Sequence, residues 1–155
     1  MDVSISIITP TFNCDKYIMR CYKNICNQSY TDWEWVLVND GSSDDTFGIL
    51  NEIAKKDKRI IIHHFSENKG RGAARQKAIE LSNANIIVIW DIDDLYDPIR
   101  LSLIYDSLIS TEFDFFCSFA LVTTNDFKLK GARHFDFGNE ISPSFVHPTL
   151  AFNKE

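Results

Sequence analysis

Three aspartates close an apolar run in Ile86-Ile87-Val88-Ile89-Trp90-Asp91-Ile92-Asp93-Asp94. Carboxylates this near one another repel, and the repulsion is tolerable where solvent or a bound cation offsets it. Alternate side chains of an extended chain share a side, so Asp91 and Asp93 can reach one hard cation through oxygen. Mg²⁺ or Mn²⁺ accepts such a pair when it also holds phosphates, which makes Asp91 and Asp93 the candidate metal ligands. Taken alone, the triplet could equally be a polar loop that caps the next helix.

Other stretches add to it. Thr9-Pro10-Thr11-Phe12-Asn13 and Asn39-Asp40-Gly41-Ser42-Ser43 each end an apolar run. Gly41 permits a tight turn, so the Asp40 carboxylate can project and accept a hydrogen bond from a ligand; a uracil imide would suit it. Asp40 or Ser42 could instead cap the following helix, a task open to Asp44 and Asp45 as well. Asn68-Lys69-Gly70-Arg71-Gly72-Ala73-Ala74-Arg75 sets small residues and three cations at the start of a helix, where backbone N–H groups favour phosphate. That stretch lacks the third glycine of a dinucleotide fingerprint and the Lys-Ser/Thr of a P-loop. Arg75 is a candidate for ligand phosphate or base, or for a pair with a nearby acid.

His63 and His64 fall in an apolar run where one of them must face inward, the pattern of satisfied structural histidines. His147, beside Pro148, is a weaker candidate metal or phosphate ligand, and His134 accompanies it in the late region. Cys14, Cys21, Cys26 and Cys117 lack the paired close spacing of a zinc site. Three of them fall in one predicted helix, where Cys14 and Cys21 share a face with apolar neighbours as reduced core thiols would, and no nearby histidine is available to activate a nucleophile.

These residues are positioned by a regular alternation. Strands are expected at 3–9, 34–39, 59–65 and 86–90. Helices are expected at 15–27, after Asp44 or Asp45, at 71–82, and from Asp97-Pro98 onward, with Pro98 in the first turn. Runs apolar on both faces and separated by helices mean an α/β fold: a doubly wound, Rossmann-like, mostly parallel sheet with helices on both faces. After about Phe113 the pattern changes. A strand over 113–122 is followed by an aromatic, charged, turn-rich stretch over 125–137, closer to a hairpin or insertion, which makes the C-terminal part irregular and partly antiparallel. In open parallel sheets ligands bind beyond the carboxyl ends of the strands, and here all four ends are chemically marked.

With 155 residues, 45% of them apolar and 25% charged, the chain can bury the core of one domain. A formal charge of −6 argues against nucleic acid as a partner. No basic-then-apolar leader opens the chain and no apolar run approaches membrane-spanning length, so a soluble, unprocessed, cytoplasmic protein is expected.

Together the four motifs resemble the nucleotide-binding half of an inverting glycosyltransferase of family two, with the GT-A fold. The motifs are Ser6-Ile7-Ile8-Thr9-Pro10-Thr11-Phe12-Asn13, Val38-Asn39-Asp40-Gly41-Ser42-Ser43-Asp44-Asp45-Thr46, Asn68-Lys69-Gly70 with Ala73-Ala74-Arg75, and the Asp-x-Asp run Asp91-Ile92-Asp93-Asp94. The resemblance implies that residues 1–98 form the nucleotide-sugar-binding half of a single domain over 1–155, and that 99–155 begin the acceptor side. It implies a donor site made by Pro10, Thr11, Phe12, Asn13, Asp40, Gly70, Arg75, Asp91, Ile92 and Asp93. In that site Asp40 receives the uracil N–H, Asp91 meets the ribose or the metal, and Asp93 holds Mg²⁺ or Mn²⁺ against the diphosphate. The implied reaction transfers a sugar from a nucleoside-diphosphate sugar, a UDP-sugar first among them, to a glycan or lipid-linked acceptor with inversion, as in polysaccharide biosynthesis.

Asn39 stands where the family often has a second aspartate, a change of small consequence if Asp40 faces the nucleotide. The family's general base lies on a later acidic motif, so it is expected beyond Glu155, and the chain as given reads as truncated. A later apolar helix there would bring membrane association, with the inner face of the membrane as the alternative location. One competing reading is a nucleotide-sugar-binding fragment without turnover. A haloacid-dehalogenase-like phosphatase or a response-regulator receiver is more remote. Their acidic pairs usually follow the first strand, whereas this one follows the fourth, and here Leu95 stands after the triplet instead of the phosphatase's Thr or Ser.

Overall fold

Seven residues of β1 (Ile5–Thr11) and eight of β2 (Trp33–Asp40) form the middle of a sheet, and β2 is buried along its whole length. The computed structural model describes residues 3–109, 115–116, 120–123, 129–133 and 150–154. Strand β3 (Ile60–Phe65) pairs with β2, and β4 (Ile86–Ile89) pairs with β1, all in parallel. Between them run α1 (Asp15–Cys26), α2 (Thr46–Lys56) and α3 (Arg71–Leu81), and α4 (Arg100–Ile109) follows β4. The short strands β5 (Phe115–Phe116) and β8 (Ala151–Asn153) extend the sheet in the order β3-β2-β1-β4-β8-β5, with β8 antiparallel to both neighbours. Strands β6 (Ala120–Thr123) and β7 (Leu129–Arg133) form a separate antiparallel pair.

Side-chain alternation assigns the two faces. Ile5, Ile7, Trp35, Leu37 and Val88 pack with Ile18, Cys21, Ile25, Leu50, Leu101 and Ile104 from α1, α2 and α4. Ile8, Val36, Val38, Ile87 and Ile89 meet Ala74 and Ala78 of α3 on the other side. Two fully buried alanines let α3 lie close to the sheet, and that closeness carries its side chains to the strand ends. At the opposite, amino-terminal edge, Glu34 accepts hydrogen bonds from Ser6 Oγ (2.5 Å) and from Asn83 N (2.6 Å) and Nδ2 (2.7 Å), binding the turn before β4 to the central strands.

The doubly wound α/β expectation holds, with four corrections of detail. Helix α4 begins at Arg100, so Pro98 lies in the turn before it, a turn closed by Asp97, whose Oδ1 accepts the Ile99 N–H and whose carbonyl accepts the Arg100 N–H, both at 3.0 Å. Neither His63 nor His64 is fully buried, because β3 is an edge strand: His63, opposite Val38 on the α3 side, is half-buried and His64 exposed. His64 stacks on Phe47 (4.3 Å) and lies 2.9 Å from Asn39 Nδ2 through Nδ1. Cys14 precedes α1 instead of lying inside it. The strand expected over 113–122 contributes to both β5 and β6, which belong to different sheets, and of the stretch expected as a hairpin or insertion over 125–137 the described part is β7, which pairs back onto β6. Cys117, His134 and His147 lie outside the described residues.

Candidate active site

The carboxyl ends of β1, β2 and β4 and the start of α3 surround a cleft of about 360 Å³. From β1 it is lined by Pro10, Thr11, Phe12 and Asn13, from β2 by Asp40, and from the segment after β4 by Asp91, Ile92 and Asp93. The strand-end hydroxyls are already committed. Thr9 Oγ1 donates to the Trp90 carbonyl and accepts from Trp35 Nε1, both at 2.8 Å, and Thr11 Oγ1 donates to the Val38 carbonyl at 3.2 Å. These bonds hold the strand ends in register and leave Phe12, 49% exposed, as an open aromatic wall.

Asn13 adopts a left-handed backbone (φ 47°), which a short amide side chain tolerates. Its N–H donates to Ser42 Oγ (2.9 Å), and its Oδ1 accepts the Ser43 N–H (2.8 Å), so the loops after β1 and β2 are tied together. Asn39 is buried beneath them, accepting from Ser42 Oγ at 2.5 Å, and does not line the cleft.

Asp40 is only 3% exposed, and both its oxygens hold backbone: Oδ1 accepts the Lys69 N–H (2.7 Å) and Oδ2 the Gly70 N–H (2.9 Å). It does not cap α2, which is served by Asp44 through the Thr46 N–H at 3.0 Å. Each Asp40 oxygen retains acceptor capacity toward the cleft. Gly41 sits beneath the loop that Asp40 holds, with φ +69°, and a Cβ there would lie 2.6 Å from the Glu67 carbonyl carbon. Gly41→Ala is therefore expected to lose about 2–4 kcal/mol of stability in urea unfolding, from left-handed strain plus a backbone clash.

Asp91 forms an ion pair with Arg75 of α3 (3.2 Å), both side chains mostly buried, so Arg75 approaches from behind and does not itself line the cleft. Gly70 does not line it either; its φ of +89° aims its N–H at Asp40. Ile92 turns its side chain into the core. Asp93 is exposed, and its carbonyl accepts Arg20 Nη2 at 2.5 Å. Asp94 is half-buried, and burial, with Asp93 and Asp91 nearby, pushes its carboxyl up to about 6. The Tyr96 hydroxyl accepts the Asp91 N–H at 3.1 Å, and burial, then Asp94, raises its phenol well above the ordinary range. Burial lowers the Arg100 guanidinium, 4.8 Å above the Tyr96 ring, to about 10. The acidic turn thus has arginines from three helices around it.

Among the described residues no group of three or more His, Cys, Asp and Glu side chains could hold a metal. Of the three cleft-lining carboxylates, Asp91, shared with Arg75, and Asp93 suit a Mg²⁺ or Mn²⁺ ion that arrives with phosphates and water, and do not suit an all-protein cage.

Sequence reasoning passed over Tyr17, Cys14, Asn68 and Arg71 as lining residues. Arg71 is the first residue of α3 and exposed at the rim, a placement implied once the helix start is known. Burial pushes the Cys14 thiol up to about 11, which makes it a poor nucleophile at neutral pH.

A family model described as Glycosyl transferase family 2 matches residues 6–151. Chondroitin synthase of Escherichia coli is 38% identical over 102 residues, covering 66% of this chain and 15% of that protein. Glycosyltransferase GlyA of Streptococcus pneumoniae is 31% identical over 114 residues, 74% of this chain and 16% of that protein. This chain therefore spans under a fifth of the length of these two relatives. Among solved structures, TarS 1-349 of S. aureus in complex with UDP superposes with a TM-score of 0.78 at 21% identity, covering 97% of this chain and 47% of that one. The mannosyltransferase PcManGT from Pyrobaculum calidifontis, in complex with GDP-Man and Mn2+, does so at 0.68 and 24% identity, covering 74% of this chain and 35% of that one. No described helix is long and apolar enough to cross a membrane.

Proposed function

This chain belongs to glycosyl transferase family 2, and on that premise we propose that its cleft binds the nucleoside-diphosphate sugar of a metal-dependent, inverting sugar transfer. The observation that carries the reading is the meeting of Asp40, the Phe12 wall, Asp91 and Asp93 around one cleft at the strand ends. Residues 1–98 form the donor half, and the segment after Pro98 opens the acceptor side.

In this reading the base rests against Pro10, Thr11 and Phe12, and Asp40 accepts the uracil imide N–H with the lone pairs that Lys69 and Gly70 leave free. Asp91, oriented by Arg75, meets the ribose or shares the cation, and Asp93 holds Mg²⁺ or Mn²⁺. The ion, when bound, neutralises charge that develops on the departing diphosphate. Arg71 at the rim adds a positive charge on the same side. The acceptor is a hydroxyl of a glycan or a lipid-linked saccharide. Deprotonating it needs a base. Asp40 and Asp91 are already committed, to backbone N–H groups and to Arg75, so neither is offered for that role.

The solved relatives hold different nucleotides, UDP in one and GDP-Man in the other, which makes base identity the first question. Calorimetry with uridine, guanosine and adenosine diphosphates, each with and without Mn²⁺, tests the reading. Uridine diphosphate is expected to bind best and to gain at least about 100-fold, or ~3 kcal/mol, from Mn²⁺. Equal, metal-independent binding of all three would sink it.

A further inference from the structure

α1 presents one polar row to the segment that carries the acidic turn. Arg20, Asn24 and Gln28 are spaced four apart, so they stack along one side of the helix and its C-terminal extension. Their partners here are main-chain atoms. Arg20 Nη2 donates to the Asp93 carbonyl (2.5 Å). Asn24 closes a two-bond ring with Tyr96, its Oδ1 accepting the N–H and its Nδ2 donating to the carbonyl, both at 2.9 Å. Gln28 donates to the Asp97 carbonyl (2.9 Å) and accepts the Leu101 N–H (3.1 Å). Because the partners are backbone groups, the row sets where residues 93–101 run, whatever side chains they carry.

Arg20 is the member of this row nearest the cleft, and its side chain also lies over Tyr17, a cleft-lining residue (5.4 Å to the ring centre). Its Nε is buried with no hydrogen-bond partner among the described residues, so the guanidinium is kept there at a desolvation cost. The two arginines nearest the turn's paired aspartates act differently. Arg75 takes the carboxylate of Asp91, whereas the hydrogen bond Arg20 makes to the turn goes to the carbonyl of Asp93, its charge also acting on the Asp94 carboxyl. The Asp93 carboxylate is left exposed, with no ion pair among the described residues.

We propose that Arg20 is a positioning residue for the cation-binding turn: it pins the Asp93 main chain to α1 while leaving the Asp93 carboxylate open to a metal brought by a nucleoside diphosphate. The assignment rests on the donor reading above. A guanidinium that merely lay nearby would repel the ion, so removing it would strengthen metal binding. A guanidinium that positions the turn has the opposite effect, and the sign separates the two.

The test is calorimetry of uridine diphosphate with and without Mn²⁺, and of uridine alone, on the wild type and on Arg20→Ala, Arg20→Gln and Arg20→Lys, each checked for folding by its urea midpoint. Arg20→Ala is expected to lose about tenfold of the Mn²⁺-dependent gain, the size typical of an outer-sphere support, with uridine binding unchanged. Arg20→Lys recovers part of it, since Nζ can donate to the same carbonyl. Arg20→Gln, which loses both charge and reach, decides the matter if the alanine variant does not fold. A Mn²⁺-dependent gain that is undiminished or larger in a folded Ala or Gln variant overturns the assignment of Arg20 alone. A wild type with no Mn²⁺-dependent gain overturns the donor reading, and this inference with it.

Discussion

Asp93→Ala is expected to remove the metal-dependent part of uridine diphosphate binding while leaving the fold intact. Asp93 is the exposed member of the acidic turn, and the other candidate ligand, Asp91, is already shared with Arg75 at 3.2 Å. Without Asp93 a cation would be left with the Asp91 carboxylate, one of whose oxygens is already paired with the Arg75 guanidinium. The expected loss is about 100-fold in the Mn²⁺-dependent gain, ~3 kcal/mol. Stability should change little, because an exposed side chain in a crowded acidic turn is given up. An internal check exists in Asp94, whose carboxyl is raised to about 6 by burial and then by Asp93 and Asp91. Removing the Asp93 charge should move the Asp94 titration to lower pH, read by carboxyl NMR. A variant that keeps the full Mn²⁺-dependent gain would argue that the cation, if any, is held elsewhere.

Asp40→Asn has the second-largest expected effect, and it falls on stability and binding together. The two oxygens of Asp40 hold the N–H groups of Lys69 and Gly70 at 2.7 and 2.9 Å in a nearly inaccessible site. An amide keeps one acceptor and turns an NH₂ against the other N–H, leaving a buried donor unpaired. The expected cost is roughly 2–4 kcal/mol, since a charge-assisted bond is lost and a desolvated group is left unsatisfied. The loop from Glu67 to Gly70 loosens, and Asn68 and Arg71 lose their place at the cleft. Metal-free uridine binding is expected to weaken by at least about tenfold, because the acceptor proposed for the imide N–H becomes partly a donor. Retained uridine affinity in a destabilised but folded variant would confine Asp40 to the loop and take it out of base recognition.

The contrast between these variants reflects what could be read from the chain. Strand and helix positions follow from alternation and from turn residues, and boundaries moved by only a few residues, as at the Arg100 start of α4. The grouping of Pro10 to Asn13, Asp40 and Asp91 to Asp93 was legible because a parallel sheet brings successive strand ends to one edge. Three things were not. The commitment of Asp40 to Lys69 and Gly70, and of Arg75 to Asp91, depends on how close α3 comes to the sheet, which is set by the packing of Ala74 and Ala78. The exposure of His64 depends on β3 being an edge strand, and strand order is a long-range outcome.

The local pattern of residues therefore determined the doubly wound α/β architecture, the family and the edge of the sheet that carries the cleft, because periodicity and turn chemistry act over a few residues. Only the tertiary structure decided which acidic groups stay open to a ligand. That depends on which cation each meets across 16 residues, from Arg75 to Asp91, or 73, from Arg20 to Asp93. Distances of that kind are fixed by helix-to-sheet packing, which a linear reading does not contain.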